Sequence, residues 1–167
     1  RNAVNTDAAA LDEMARRVWI ATFGHSAPAK DIQAYVDVAY GPKGTLRRHL
    51  ADPAFDFHVA VANGIVVGYC KLGPTFLTDE AETAGLIHLH QLYVDPAQHG
   101  AGVADALLDW AKDFARRHGA KGLILTVWEE NHRARRFYEK HGFVHVGDYA
   151  FRTGSQIDRD LIVRLTL

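Results

Sequence analysis

The stretch LIHLHQLYVDPAQHGAGVADALLDWA, residues 86–111, decides the fold. Residues 86–94 are rich in Leu, Ile, Val and Tyr over the length of a strand, and Pro96 ends it. Gly100 and Gly102 then open a loop, and residues 103–119 carry Val103, Leu107, Ala111 and Phe114 at helical spacing. A strand therefore runs through a glycine loop straight into a helix. The first amides of such a helix have no acceptor within it, and two glycines let consecutive N–H groups in 99–104 aim at one point, as phosphate binding needs. The helix dipole favours negative charge at the same place. A plain turn with small residues for close packing is the competing reading. Alternation along 86–94 predicts His88, His90, Leu92 and Val94 on one face and Leu89, Gln91 and Tyr93 on the other.

A second stretch, VWEENHRARRFYEKHGF at 127–143, continues the pattern. A strand over 123–128 leads into a helix within HRARRFYEKHG, with Asn131 as its N-cap and Gly142 as its stop. Upstream, residues 7–23 and 29–40 predict two amphipathic helices, and TLRRHLADP a shorter one ended by Pro53. FHVAVANGIVVGYCKL predicts a hairpin about Asn63-Gly64, a pair suited to positive φ. GPTFLTDEAETAG is a polar connection, and two last strands are expected over 143–151 and 160–167. The order predicts a mixed α/β sheet with helices on both faces.

The whole chain, 1–167, is expected to form one domain. Its net charge of −1, from 19 basic and 20 acidic residues, offers no basic field for nucleic acid or an acidic membrane. No apolar run reaches 18 residues, and the start is too acidic and discontinuous for a signal peptide. The absence of an initial methionine suggests a chain that begins late or was trimmed. A cytoplasmic protein, monomeric or homodimeric, is expected. Cys70 is the one cysteine and lies in the apolar run IVVGYC, where a buried thiol is expected rather than a nucleophile.

These two runs resemble those of the GNAT superfamily, N-acetyltransferases that move an acetyl group from acetyl-coenzyme A to an amine. The family's loop has the form Gln/Arg-x-x-Gly-x-Gly/Ala, and its counterpart here is His99-Gly100-Ala101-Gly102-Val103-Ala104, with His99 replacing the leading Gln or Arg. The run Asn131-x-x-Ala134-x-x-Phe137-Tyr138-Glu139-Lys140-x-Gly142-Phe143 matches the family's last helix. The resemblance implies the acyl-CoA N-acyltransferase fold, a mostly antiparallel central sheet flanked by helices, with acetyl-coenzyme A as co-substrate. It implies that the diphosphate lies over residues 99–104. Strand 86–94 would splay from its neighbour, freeing backbone along Leu92, Tyr93 and Val94 for the acetyl carbonyl and pantetheine arm. Asn131 would contact the pantetheine, and Tyr138 would serve as general acid. An N-terminal strand is expected to be lost or cut short before Asp7. Phe151, Gly154, Asp160 and Ile162 resemble the tail of the PaiA-type polyamine acetyltransferases.

Acetylating an amine poses two proton problems: the ammonium must lose a proton, and the departing thiolate benefits from one. The Tyr138 phenol, with a reference pKa of about 10, holds a proton for the second task. His88, four residues before Leu92, is the candidate base, with His90 and Glu129 next; a half-buried strand histidine with only a structural role is the alternative. His88 and His90 lack a third ligand at a recognisable spacing, so no metal site is expected. The acidic run 79–82 points to a small cationic acceptor, a polyamine first, whereas Arg47, Arg48 and His49 point to an acidic one. A peptide or protein N-terminus is the alternative acceptor, and a non-catalytic acyl-coenzyme A binder the alternative class.

Overall fold

A computed structural model describes residues 1–78 and 83–167 of the chain; the acidic run 79–82, expected to attract a cationic acceptor, lies outside the described residues. Helices α1 (Ala8–Phe23), α2 (Ala29–Ala39) and α3 (Thr45–Leu50) precede strands β1 (Asp56–Ala62), β2 (Ile65–Gly73) and β3 (Leu86–Val94). Helix α4 (Val103–Arg117), strand β4 (Gly122–Trp128), helix α5 (His132–Lys140) and strands β5 (Val144–Thr153) and β6 (Gln156–Thr166) follow. The strands form one sheet in the order β1-β2-β3-β4-β6-β5, parallel only between β3 and β4. This is the mostly antiparallel sheet flanked by helices that the resemblance implies, and the mixed α/β order that the sequence pattern predicts.

Each face of the sheet buries its own core. On one face Leu107, Leu108 and Ala111 of α4 and Tyr138 of α5 pack on Cys70, Leu72, Leu89, Leu123 and Leu125. On the other, Leu11, Met14, Val18 and Trp19 of α1 and Ile32 and Val36 of α2 pack on Phe57, Val59 and Tyr69. Each such large apolar side chain contributes about 1.5–3 kcal/mol on burial. Helix α4 can seat so closely because β2 has a glycine under it: a Cβ on Gly68 would lie 3.1 Å from Val103 Cγ1 and 3.0 Å from the Tyr93 carbonyl oxygen. That contact fixes the start of α4, and with it the glycine loop, over the end of β3.

The N-terminal strand is cut short before Asp7, as expected: residues 1–3 run antiparallel beside β1 through the isolated bridge Asn2–His58, with Val59 N–H donating to the Arg1 carbonyl at 2.9 Å and Ala3 N–H to the Phe57 carbonyl at 2.9 Å. Two other expectations need correction. Strands β5 and β6 extend toward each other to Thr153 and Gln156, past the expected 143–151 and 160–167. The added residues, Ile157 apart, are polar and lack apolar alternation, but Arg159 pairs with Asp148 across the ladder at 2.9 Å, and Asp31 of α2 accepts from Ser155 Oγ at the turn at 2.8 Å.

The second correction concerns β3. Lys71 pairs with Gln91 and Leu72 with Leu89, so His90 is an extra residue, a β-bulge. One extra residue reverses the phase of everything beyond it. Leu89, Leu92 and Val94 all join the α4 core. His88 pairs with Gly73, two residues from Lys71, and the His90 ring meets Phe55 on the α1 side. The two histidines thus face away from Leu92 and Val94, not with them.

Candidate active site

Strands β3 and β4 pair only over Leu86–Gly122, Ile87–Leu123 and His88–Ile124. Beyond His88 they part, so backbone groups of residues 89–94 that point toward β4 have no strand partner. A cavity of about 430 Å³ occupies the gap, lined by residues 89–94 of β3, Thr126, Val127 and Trp128 of β4, and Asn131, Arg133, Ala134 and Tyr138. A volume of that order suits a small molecule.

The glycine loop lies at the end of β3, past a short 3-10 turn (Pro96–Gln98) whose N-cap, Asp95, accepts from the Ala97 N–H at 3.0 Å. Gly100 and Gly102 have φ of 82° and 79°, and a Cβ at either would meet nothing within 4 Å. Close packing does not explain these glycines. Backbone conformation does, and it leaves open space before the N-terminus of α4, which carries no side-chain cap. The Arg133 guanidinium lies in hydrogen-bond contact with the His99 ring and also lines the cavity. Burial and the Arg133 charge hold His99 below the usual imidazole range. A cation thus stands where His99 replaces the family's Gln or Arg. Nothing in the sequence singled out Arg133, one of three arginines within HRARRFYEKHG.

On α5, Asn131 is the N-cap as expected, its Oδ1 accepting from the Ala134 N–H at 3.2 Å. Tyr138 is buried between Phe137 and Phe143 yet reaches the cavity, and burial raises its phenol above the ordinary value. It keeps its proton well past neutral pH. Cys70 is fully buried, its thiol pushed up to about 12 by burial and donating to the Leu107 carbonyl at 3.6 Å, so it is a packing residue.

His88 is 1% exposed and does not line the cavity; its Nδ1 lies 3.0 Å from Thr75 Oγ1. His90 does line it, stacked on His88 with ring centroids 4.4 Å apart. His90 Nε2 donates to the Pro74 carbonyl at 2.8 Å, leaving Nδ1 as the lone-pair nitrogen. Burial, aided by nearby positive charge, pushes His88 down to about 3 and His90 to about 4. Glu129, the third candidate, pairs with Arg159 at 3.1 Å and is not part of the wall.

Two further ends of the cavity were missed in the sequence. At one, Lys71 is buried with its Nζ 2.6 Å from His49 Nδ1 and over the Phe55 ring at 4.7 Å, and burial pushes it down to about 8. A lone lysine ending an apolar strand was the available signal. At the other, Asp158 on the extended part of β6 and Asp160 at its expected start line the cavity with Tyr35 and Phe151. Asp160 stood in the tail motif, but acids at alternate positions gave no sign of pointing inward.

The model of the acetyltransferase (GNAT) family matches residues 10–143. An uncharacterized N-acetyltransferase of Mycobacterium tuberculosis is 30% identical over 158 residues, covering 95% of this chain and 96% of that protein. The aminoalkylphosphonate N-acetyltransferase of Salmonella typhimurium is 33% identical over 57% of this chain and 60% of its own length. Among solved structures, the PaiA N-acetyltransferase from Thermoplasma acidophilum in complex with coenzyme A has a TM-score of 0.77 at 22% identity, covering 100% of this chain and 97% of that one. At that identity the likeness is one of fold.

Proposed function

The chain belongs to the GNAT family of acetyl-coenzyme A-dependent acetyltransferases, and on that premise we propose that it acetylates a small primary amine by direct attack within a ternary complex. One observation carries this reading: the cavity opened by the parting of β3 and β4 joins Asn131, Arg133 and Tyr138 to a wall of aromatic and acidic side chains. Acetyl-coenzyme A would lay its diphosphate over residues 99–104 with Arg133 beside it. The pantetheine arm would follow Asn131 and the backbone of Leu92, Tyr93 and Val94. The Leu92 N–H is the proposed donor to the thioester carbonyl, stabilising the oxyanion that forms on attack. Tyr138 is the proposed acid for the departing sulfur. Of the two strand histidines, His90 is the one that lines the cavity, and His88 behind it is assigned a positioning role, holding the His90 ring through the stack. His90→Ala is therefore expected to slow turnover more than His88→Ala in steady-state assays; the reverse order would return His88 to direct contact with the acceptor.

For the acceptor, the acids Asp158 and Asp160 support a cationic amine, a polyamine being the choice suggested by the PaiA-like tail. A second reading has a specific observation behind it. Lys71 on the cavity wall favours an amine that also carries an anionic group, the kind of molecule after which the Salmonella relative is called an aminoalkylphosphonate N-acetyltransferase. Release of coenzyme A thiol separates the possibilities when measured with spermidine, simple diamines, aminoalkylphosphonates, amino-sugar antibiotics and short peptides. Turnover of small amines is expected. Turnover of peptides alone would move the chain to N-terminal acetylation, and binding of acetyl-coenzyme A without turnover of any of them would make it a non-catalytic binder.

A further inference from the structure

Asp160 is buried, 8% exposed, on a strand where its neighbour Arg159 is occupied by Asp148 at 2.9 Å and by Glu129 at 3.1 Å. No ion pair to Asp160 is seen among the described residues. Removing a carboxylate from water without a cation partner is costly, so such a group survives where a ligand supplies the cation or where its charge is used. It borders the cavity, and so do its cross-strand partner Trp128 and the rings of Tyr35 and Phe151, whose centroids lie 6.0 Å apart. Aromatic faces with a carboxylate at their edge make a seat for an ammonium group.

Resting on the reading above, we propose that Asp160 receives the reacting ammonium of the acceptor and takes a proton from it. The ammonium N–H bond breaks and its proton passes to a carboxylate oxygen of Asp160, later leaving to water. The freed nitrogen lone pair forms the C–N bond at the thioester carbon. As the tetrahedral intermediate collapses the C–S bond breaks, sulfur takes the Tyr138 proton, and the second proton lost from nitrogen makes good the one Tyr138 gave. Electrons and atoms balance without another reactant.

The surroundings suit the task better than those of the histidines. Burial pushes Asp160 up to about 6, with Asp158 and Glu129 reinforcing the shift and Thr126 opposing it through a hydrogen bond. Tyr35 faces it from α2, Tyr149 is opposite it on β5, and His25 of the loop after α1 packs on Trp128. A base near 6 is ionised at neutral pH and still basic enough to accept a proton in the transition state. His90, held near 4, is the weaker base.

The test is the pH dependence of kcat/KM in the full chain, using the best amine from the panel. With Asp160 acting on the ammonium, kcat/KM is expected to rise to about pH 6 and then stay flat until the amine itself deprotonates. Asp160→Asn should lose about 100-fold at pH 7 and, instead of a plateau, rise steadily with pH because only preformed neutral amine reacts. Asp160→Glu should restore part of the plateau, and coenzyme A affinity by calorimetry should be unchanged in both variants. Active wild-type enzyme whose profile Asp160→Asn leaves intact, or a variant that loses coenzyme A binding as well, overturns the assignment alone. A wild type that binds coenzyme A and acetylates no amine overturns the acceptor reading and Asp160 with it.

Discussion

Replacing Tyr138 by Phe is expected to lower kcat about 100- to 1000-fold while coenzyme A affinity stays within about threefold, since proton donation of this kind supplies roughly 10²–10⁴ in rate. The change removes one oxygen from a ring held edge-on by Phe137 and Phe143, so the packing of α5 on the sheet is kept. Burial holds the phenol protonated, and the hydroxyl matters chiefly when negative charge builds on sulfur. An interaction made only in the transition state is lost from kcat and from kcat/KM alike, with little change in ground-state binding. Steady-state kinetics with calorimetric titration of coenzyme A reads both quantities. Equal rates for variant and parent across pH would leave Tyr138 as a core aromatic.

The second large effect is expected at the loop. Gly102→Val puts a β-branched residue at a φ of 79°, a strain of about 1–3 kcal/mol, and fills the space before the amides of α4. Coenzyme A affinity should fall about 100-fold, which corresponds to about 2.7 kcal/mol. Strain alone could mimic a binding defect, and Gly119 supplies the control. It has a φ of 68° and open space around it, at the far end of α4. Gly119→Val should lose thermal stability to a similar degree and bind coenzyme A normally. Parallel behaviour of the two variants in calorimetry would mean that residues 99–104 do not hold the cofactor.

The pattern of strands and helices was legible because each buried stripe has one partner face and hence one period. Leu107 and Ala111 had to lie toward the sheet, and Asn63-Gly64 had to turn. The order of the glycine loop and the Asn131–Tyr138 helix carried the family. What escaped the sequence depends on contacts between distant segments. The His90 bulge is defined only by its pairing with Lys71 and Leu72 on β2. Asp160 lay within the expected strand, but its place on the cavity wall depends on Tyr35 of α2, Trp128 of β4 and Phe151 of β5, which only the fold brings to it. Arg133 and His99 lie on separate elements that meet where β3 ends. Periodicity reports which way a side chain points, and it does so only until the first irregularity in the strand.

That irregularity has an evolutionary side. With the phase reversed at His90, β3 behaves as two short strands on one backbone: Leu92 and Val94 answer to the α4 side, while His88 and His90 answer to the α1 side. On the proposed reading, substitutions at His88 and His90 would reshape the acceptor side without moving the half along which the cofactor would lie. Loss of His90 would set Leu89 directly beside Gln91 in the register that Leu72 and Lys71 already hold, so both halves would keep their sides and only the bulge would go.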